Sequence, residues 1–204
     1  MKNTISFFNQ IRPDRFFLLA GPCVVEDEES PVKIAEKLVN LCEKYNIPLV
    51  FKASYKKANR SRVDSFTGIG DLKALKLLKA IGTQFNVPVV TDVHSVEEVY
   101  IAADFVEVLQ IPAFLCRQTE LLVAAAKTGK VVNIKKGQFL SGEAMRFAAE
   151  KVLQSGNNNI LLTERGNSFG YQDLVVDFRN IPGSLHLLPH KDRPAEKSGR
   201  AGFG

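Results

Sequence analysis

Short runs rich in Val, Ile and Leu alternate along the chain with longer stretches in which apolar residues recur at helical spacing. The runs occupy residues 17–25, 49–54, 89–93, 106–112, 131–135 and 159–164. The helix-like stretches follow them at 31–45, 71–85, 95–103, 118–127, 141–154 and 171–180. The alternation repeats about every 35 to 40 residues, as expected of strand–helix units. Runs 87–90 and 160–162 are apolar on both faces, the mark of strands in a parallel sheet covered by helices on one side and filled by a core on the other. Ser30 before Pro31 predicts a helix start with an N-cap and a proline in the first turn, and Ser141 with Glu143 and Ala144 predicts another.

The pattern leads to an α/β parallel sheet, either open and doubly wound or closed. No Gly-x-Gly-x-x-Gly and no GxxxxGK[ST] motif follows the first strand, so neither a dinucleotide nor a P-loop site is announced. Polar residues stand at the ends of many strands rather than at one switch point, where barrel enzymes assemble their sites. The expected fold is a TIM (β/α)8-type barrel with about six of its eight units recognisable. After residue 180 the pattern stops, so residues 1–182 read as an incomplete barrel domain and 183–204 as a non-matching, disordered tail.

With 204 residues, 45% of them hydrophobic, the chain can bury a core and reads most simply as one domain. No window of about 18 consecutive apolar residues occurs, and the first residues lack the pattern of a signal peptide, so a cytoplasmic location is expected. Cys23, Cys42 and Cys116 are odd in number and form no CxxC pair, which fits a reducing compartment. A net charge of +5 without tryptophan, spread over strand ends and helix faces, argues against nucleic acid as a partner.

The basic residues are nonetheless patterned. Lys52, Lys56, Lys57 and Arg60 gather in FKASYKKANRS just after an apolar run, and Arg117, the Lys135–Lys136 pair and Arg165 each stand at or just past another. Lysines and arginines on one rim suit phosphate and carboxylate groups. If Lys52, Lys57, Arg60, Arg117, Lys135, Lys136 and Arg165 converge, the ligand carries several negative charges, as two phosphorylated molecules would. The alternative is that half of them are solvated or paired with Asp64, Glu120 and Glu164. Asn59 and Ser61 can add neutral donors beside Arg60 or only shape the loop. Asp92 and His94, in TDVHS, suit a sugar hydroxyl or proton transfer, or else loop capping. Cys23 would project into the barrel mouth or its core, where it could ligate a soft divalent metal or simply pack; Cys42 reads as core and Cys116 stays open.

FKASYKKANRS, TDVHS, QIPAFLCRQT, NIKKGQF and ERGNSFGY, in this order, closely resemble 3-deoxy-D-manno-octulosonate 8-phosphate synthases, over residues 17–180. FKAS-x-x-KANRS and RG-x-x-FGY together are highly specific. The resemblance implies a (β/α)8 barrel, usually tetrameric, that condenses phosphoenolpyruvate with D-arabinose 5-phosphate for the lipopolysaccharide inner core. It implies Lys57, Lys135, Arg117 and Arg165 as the phosphoenolpyruvate cradle, with the backbone of Ala113 beside the phosphate. Lys52, Asn59, Asp92, Gln110 and Pro112 would line the sugar side, and Arg60 and Ser61 would reach the sugar phosphate from a neighbouring subunit. Lys57, Asn59, Asp92 and Lys135 are the catalytic set.

The same resemblance makes Cys23 the mark of the metal-dependent branch, a ligand for zinc, manganese or iron. The other ligand motifs of that branch, Asp-x-Thr-His and Leu-Glu-x-His, do not occur in this sequence, and the surroundings of His186 do not match. A frame change or early stop after about residue 182 is the expectation drawn from that abrupt loss of pattern. Two further readings compete with the synthase: a noncatalytic binder of phosphoenolpyruvate and sugar phosphate, and a related phosphoenolpyruvate-dependent synthase with another acceptor.

Overall fold

The computed structural model describes residues 7, 16–59 and 61–181. Six short strands form one parallel sheet in strictly sequential order: β1 Leu18–Ala20, β2 Leu49–Lys52, β3 Val89–Asp92, β4 Val108–Ile111, β5 Val131–Lys135 and β6 Ile160–Thr163. Helices α1 Ser30–Tyr45, α2 Asp71–Phe85, α3 Val96–Ala103, α4 Thr119–Lys127 and α5 Arg146–Gln154 connect them in turn. Each strand pairs with the next in parallel register, so the sheet curls as a partial (β/α)8 barrel of about six units, as the sequence led us to expect.

Side chains on a strand alternate between faces, and here the two faces have different chemistry. Phe51, Val89, Leu109, Val132 and Ile134 point outward into a large core shared with Leu75, Leu78, Leu122 and Val152 of the helices. Val50, Val90, Val108 and Val131 point inward and pack with Phe7, Leu19 and Leu161. Two residues further along each strand the inward position turns polar: Lys52, Asp92, Gln110, Asn133 and Thr163. The barrel interior is therefore apolar at the start of the strands and polar at their ends.

Two helix-to-strand connections repeat one solution. Asn46 and Asn86 end α1 and α2 in the left-handed conformation, each with φ 52°, and Ile47-Pro48 and Val87-Pro88 then enter the next strand. Asparagine tolerates that conformation better than most residues, and a proline soon after it prevents the helix from continuing. At the end of β1, Gly21 lies at φ +156°, and a Cβ there would sit 2.0 Å from the carbonyl oxygen of Lys52. Only glycine lets the first strand end this close to the second.

Two local expectations change. Ser30 is the first residue of α1 and Glu29 holds the cap position without a side-chain bond; Asp27, just before it, accepts on its carboxylate from the backbone N–H groups of Glu29 and Ser30 and from the Ser30 hydroxyl. The helix expected over 171–180 does not form. Asn167–Phe169 (β7) and Asp173–Val175 (β8) pair as an antiparallel hairpin around Gly170, at φ +72°. The residues of β8 are all exposed, so no helix face finds a core to bury against. Among the described residues no helix is long and apolar enough to cross a membrane.

Candidate active site

The polar ends of the strands form a continuous hydrogen-bonded layer. Lys52 Nζ donates to Ser54 Oγ at 2.9 Å, and Ser54 Oγ donates to Asp92 Oδ2 at 2.8 Å. From the other side Thr163 Oγ1 donates to Asn133 Oδ1 at 2.7 Å, Asn133 Nδ2 to Gln110 Oε1 at 3.1 Å, and Gln110 Nε2 to Asp92 Oδ1 at 2.8 Å. Every donor in the layer leads toward Asp92. Its carboxylate accepts from both sides of the layer, and Lys52 Nζ lies 3.8 Å away.

Cations surround that carboxylate. Lys57 Nζ donates to Cys23 Sγ, and Lys52 Nζ reaches the Cys23 carbonyl at 3.4 Å. Lys135, half-buried at the end of β5, has its pKa pushed below the ordinary lysine value by burial first. The charge of Asp92 opposes this, the charges of Lys52 and Arg165 reinforce it, and Cys23 opposes it weakly. Arg165 adds a buried Nη1 that has no hydrogen-bond partner among the described residues. A guanidinium nitrogen left without an acceptor in such a place suits an incoming anion.

The other positions noted in the sequence are distributed around this centre. Pro112 and Ala113 follow β4, with Ala113 opening a single 3₁₀ turn, Ala113–Leu115. Arg117 is exposed just beyond it, and its carbonyl accepts from Lys151. Asn59 and Ser61 are exposed on the β2–α2 loop, away from the buried layer, and Arg60 lies outside the described residues.

Three side chains take the structural one of the readings left open. Lys136, counted among the cations for ligand, is 2% exposed and spends its ammonium on the carbonyls of Gly137, Leu140 and Gly166 and on Asn167 Oδ1. Lys56 turns away to Glu98 and Asp71. His94 is separated from Asp92: its Nδ1 meets Glu98 Oε2 at 2.9 Å and its ring stacks near Phe114 on the outer side. Burial raises the Glu98 pKa, but hydrogen bonds from His94, Lys56 and Tyr55 outweigh it and hold the carboxyl at about 2. Cys42 and Cys116 are buried, and burial pushes both thiols up.

Among the described residues no group of three or more His, Cys, Asp or Glu side chains could hold a metal ion. Cys23 offers one sulfur, already hydrogen-bonded to the Lys57 ammonium, which is fewer donors than a divalent metal needs from protein. The described residues do not make up a metal centre by themselves.

The family model of the DAHP synthetase I family matches residues 10–190. The chain belongs to that family. Its curated relatives include three proteins named 2-dehydro-3-deoxyphosphooctonate aldolase. That from Koribacter versatilis is 55% identical over 180 residues, covering 88% of this chain and 65% of the relative. Those from Geotalea uraniireducens and Pisum sativum are 56% and 48% identical, covering 81% and 89% of this chain and 61% and 63% of theirs. This member of the family thus spans less than two thirds of the length of the curated relatives it matches.

Ser54, Asn133 and Thr163 are the positions that sequence reasoning passed over. The signal was present in the strand period: Asn133 and Thr163 lie two residues beyond the inward-facing Val131 and Leu161, where the barrel interior changes from apolar to polar, and Ser54 lies two residues beyond Lys52 on the same face.

Proposed function

We propose that this chain carries the substrate-binding half of a synthase that condenses phosphoenolpyruvate with D-arabinose 5-phosphate, giving 3-deoxy-D-manno-octulosonate 8-phosphate and inorganic phosphate. One observation carries the reading: Lys52 lies 3.8 Å from the Asp92 carboxylate, Lys135 feels the charges of Asp92, Lys52 and Arg165, and the buried Nη1 of Arg165 has no hydrogen-bond partner among the described residues. The name borne by the relatives, 2-dehydro-3-deoxyphosphooctonate aldolase, describes the same product.

In this reading C3 of phosphoenolpyruvate bonds to the aldehyde carbon of the sugar, water adds at C2, and phosphate leaves with cleavage of its C–O bond. Lys57, Lys135, Arg117 and Arg165 hold the phosphoenolpyruvate, and the Ala113 backbone lies against its phosphate. Asp92 accepts from a sugar hydroxyl alongside Lys52, Asn59, Gln110 and Pro112. Arg60 and Ser61 take the sugar phosphate across a subunit contact of a homotetramer. Two polyanions repel each other in water, so holding both on fixed cations supplies most of the acceleration. A cytoplasmic location, with both phosphorylated substrates at hand, belongs to the same proposal.

Phosphate release from phosphoenolpyruvate, measured with and without arabinose 5-phosphate and with and without added manganese or zinc, tests it. Release that requires the sugar supports the synthase. Phosphoenolpyruvate binding without release in any condition replaces it by a noncatalytic binder, and release with erythrose 4-phosphate or N-acetylmannosamine instead replaces it by a related synthase.

A further inference from the structure

Lys136 follows Lys135 directly, yet it faces away from ligand into a pocket closed on every side. A buried ammonium is costly unless acceptors surround it, and here they all come from two loops. Gly137 and Leu140 belong to the loop after β5; Gly166 and Asn167 lie where the loop after β6 runs into β7. Glu164 Oε1, 3.4 Å from the Lys136 ammonium, supplies the countercharge.

That carboxylate has a second job. Glu164 Oε1 accepts from the backbone N–H of Arg165 at 3.0 Å and of Gly166 at 2.7 Å. Gly166 adopts the left-handed φ of +85°, and a Cβ there would come 3.2 Å from the Val175 carbonyl oxygen, so glycine suits the position just after Arg165. Glu164 Oε2 is also reached by Asn180 Nδ2 at 3.3 Å, which ties the same loop to the segment beyond β8. The two ends of one buried ion pair are thus the residue after Lys135 and the residue before Arg165.

We propose that Lys136 and Glu164 are positioning residues that set the spacing and direction of Lys135 and Arg165, fixing the Arg165 guanidinium in its inward, anion-accepting pose. The assignment rests on the reading of Lys135 and Arg165 as anion ligands. The ladder of β5 and β6 ends at Lys135 and Thr163. Beyond it the two loops meet through the backbone bonds Lys136 N–H to Thr163 O and Ser168 N–H to Gln138 O, through Asn167 Nδ2 to Leu140 O, and through the Lys136–Glu164 pair, which alone among these contacts carries charge. Without the clamp the guanidinium would turn to solvent, where water satisfies it, and each anion would have to restore the pose at a cost in affinity.

The first measurement needs no ligand. Phenylglyoxal modification rates of Arg165 and Arg117, read by peptide mass spectrometry, are compared in the unaltered chain, Glu164→Gln and Lys136→Met. Glu164→Gln keeps an oxygen for the two backbone N–H groups while removing the charge, so it tests the ion pair even if Lys136→Met fails to fold. The expected result is an Arg165 rate raised about tenfold with Arg117 unchanged, the effect of losing about one charge-assisted hydrogen bond. An unchanged Arg165 rate, or an equal rise at both arginines, overturns the proposal.

The second measurement is inorganic phosphate binding by calorimetry, with Glu164→Gln placed in the unaltered chain and on an Arg165→Ala background. A positioning role predicts roughly tenfold weaker binding in the first and less than about twofold change in the second, because the group being positioned is gone. Equal losses in both backgrounds overturn it. If the unaltered chain binds neither phosphate nor phosphoenolpyruvate, the synthase reading fails, while the modification rates still decide whether the clamp sets Arg165.

Discussion

Asn133 sits in the middle of the polar layer, 1% exposed, with its amide oxygen accepting from Thr163 and its amide nitrogen donating to Gln110. Asn133→Leu keeps the branched shape and opens no cavity, so its cost is the loss of polar partners together with the strain of packing the larger methyl groups. Gln110 is itself buried, and stranding its Oε1 costs about 1–3 kcal/mol. Thr163 is only partly buried and can turn its hydroxyl toward water, so its loss is about 1 kcal/mol or less. The expected destabilisation is about 2–3 kcal/mol, a large share of the roughly 5–15 kcal/mol that holds a domain folded. Urea unfolding followed by circular dichroism measures it, provided the slope with denaturant is unchanged.

A second variant sharpens the test. Thr163→Val alone strands the Asn133 oxygen, but added to Asn133→Leu it removes an already stranded hydroxyl. The pair should therefore be less than additive by about 1 kcal/mol. An Asn133→Leu chain within about 0.5 kcal/mol of the parent, or strict additivity with Thr163→Val, would refute the claim that this layer is one connected network.

Other expectations follow from single contacts. Gly21→Ala drives a Cβ to 2.0 Å from the Lys52 carbonyl oxygen, backbone against backbone, and should cost about 2–4 kcal/mol in urea unfolding; a loss below about 0.5 kcal/mol would show that β1 can move freely. Asp92→Asn removes the charge that supports the Lys135 ammonium, so the Lys135 pKa should fall further, and the pH dependence of its amine modification should shift to lower pH; an unchanged or raised midpoint contradicts the geometry. For Glu98 the folded carboxyl lies at about 2 against an ordinary 4.5, so its contribution is present above pH 4.5 and is lost as pH falls toward 2. Glu98→Gln should accordingly flatten the decline of stability across that window, and a decline as steep as the parent's would remove Glu98 as its source.

How far the sequence reached depends on the range of the interaction involved. Five of the six helices expected from the apolar spacing form, and β5 matches its run residue for residue, because burial of one helix face or of a parallel strand writes a period into the chain. The miss at 171–180 has the same origin: β8 and its neighbours bury little, so nothing enforced a helical period there. Asp27 rather than Ser30 satisfies the free N–H groups at the start of α1 because a carboxylate competes well for them, a choice made by loop geometry.

The sequence by itself determined the order of strands and helices, the family, and the presence of an unusual set of cations at strand ends. Tertiary structure alone decided which of those cations face one another. Lys135 and Lys136 are adjacent and chemically identical, yet the alternation of a strand end sends one into the cationic centre and the other into a closed pocket of carbonyls. Electrostatic partners of a buried ammonium come from loops some thirty residues apart, as with Lys136 and Gly166, and no local pattern announces such a meeting.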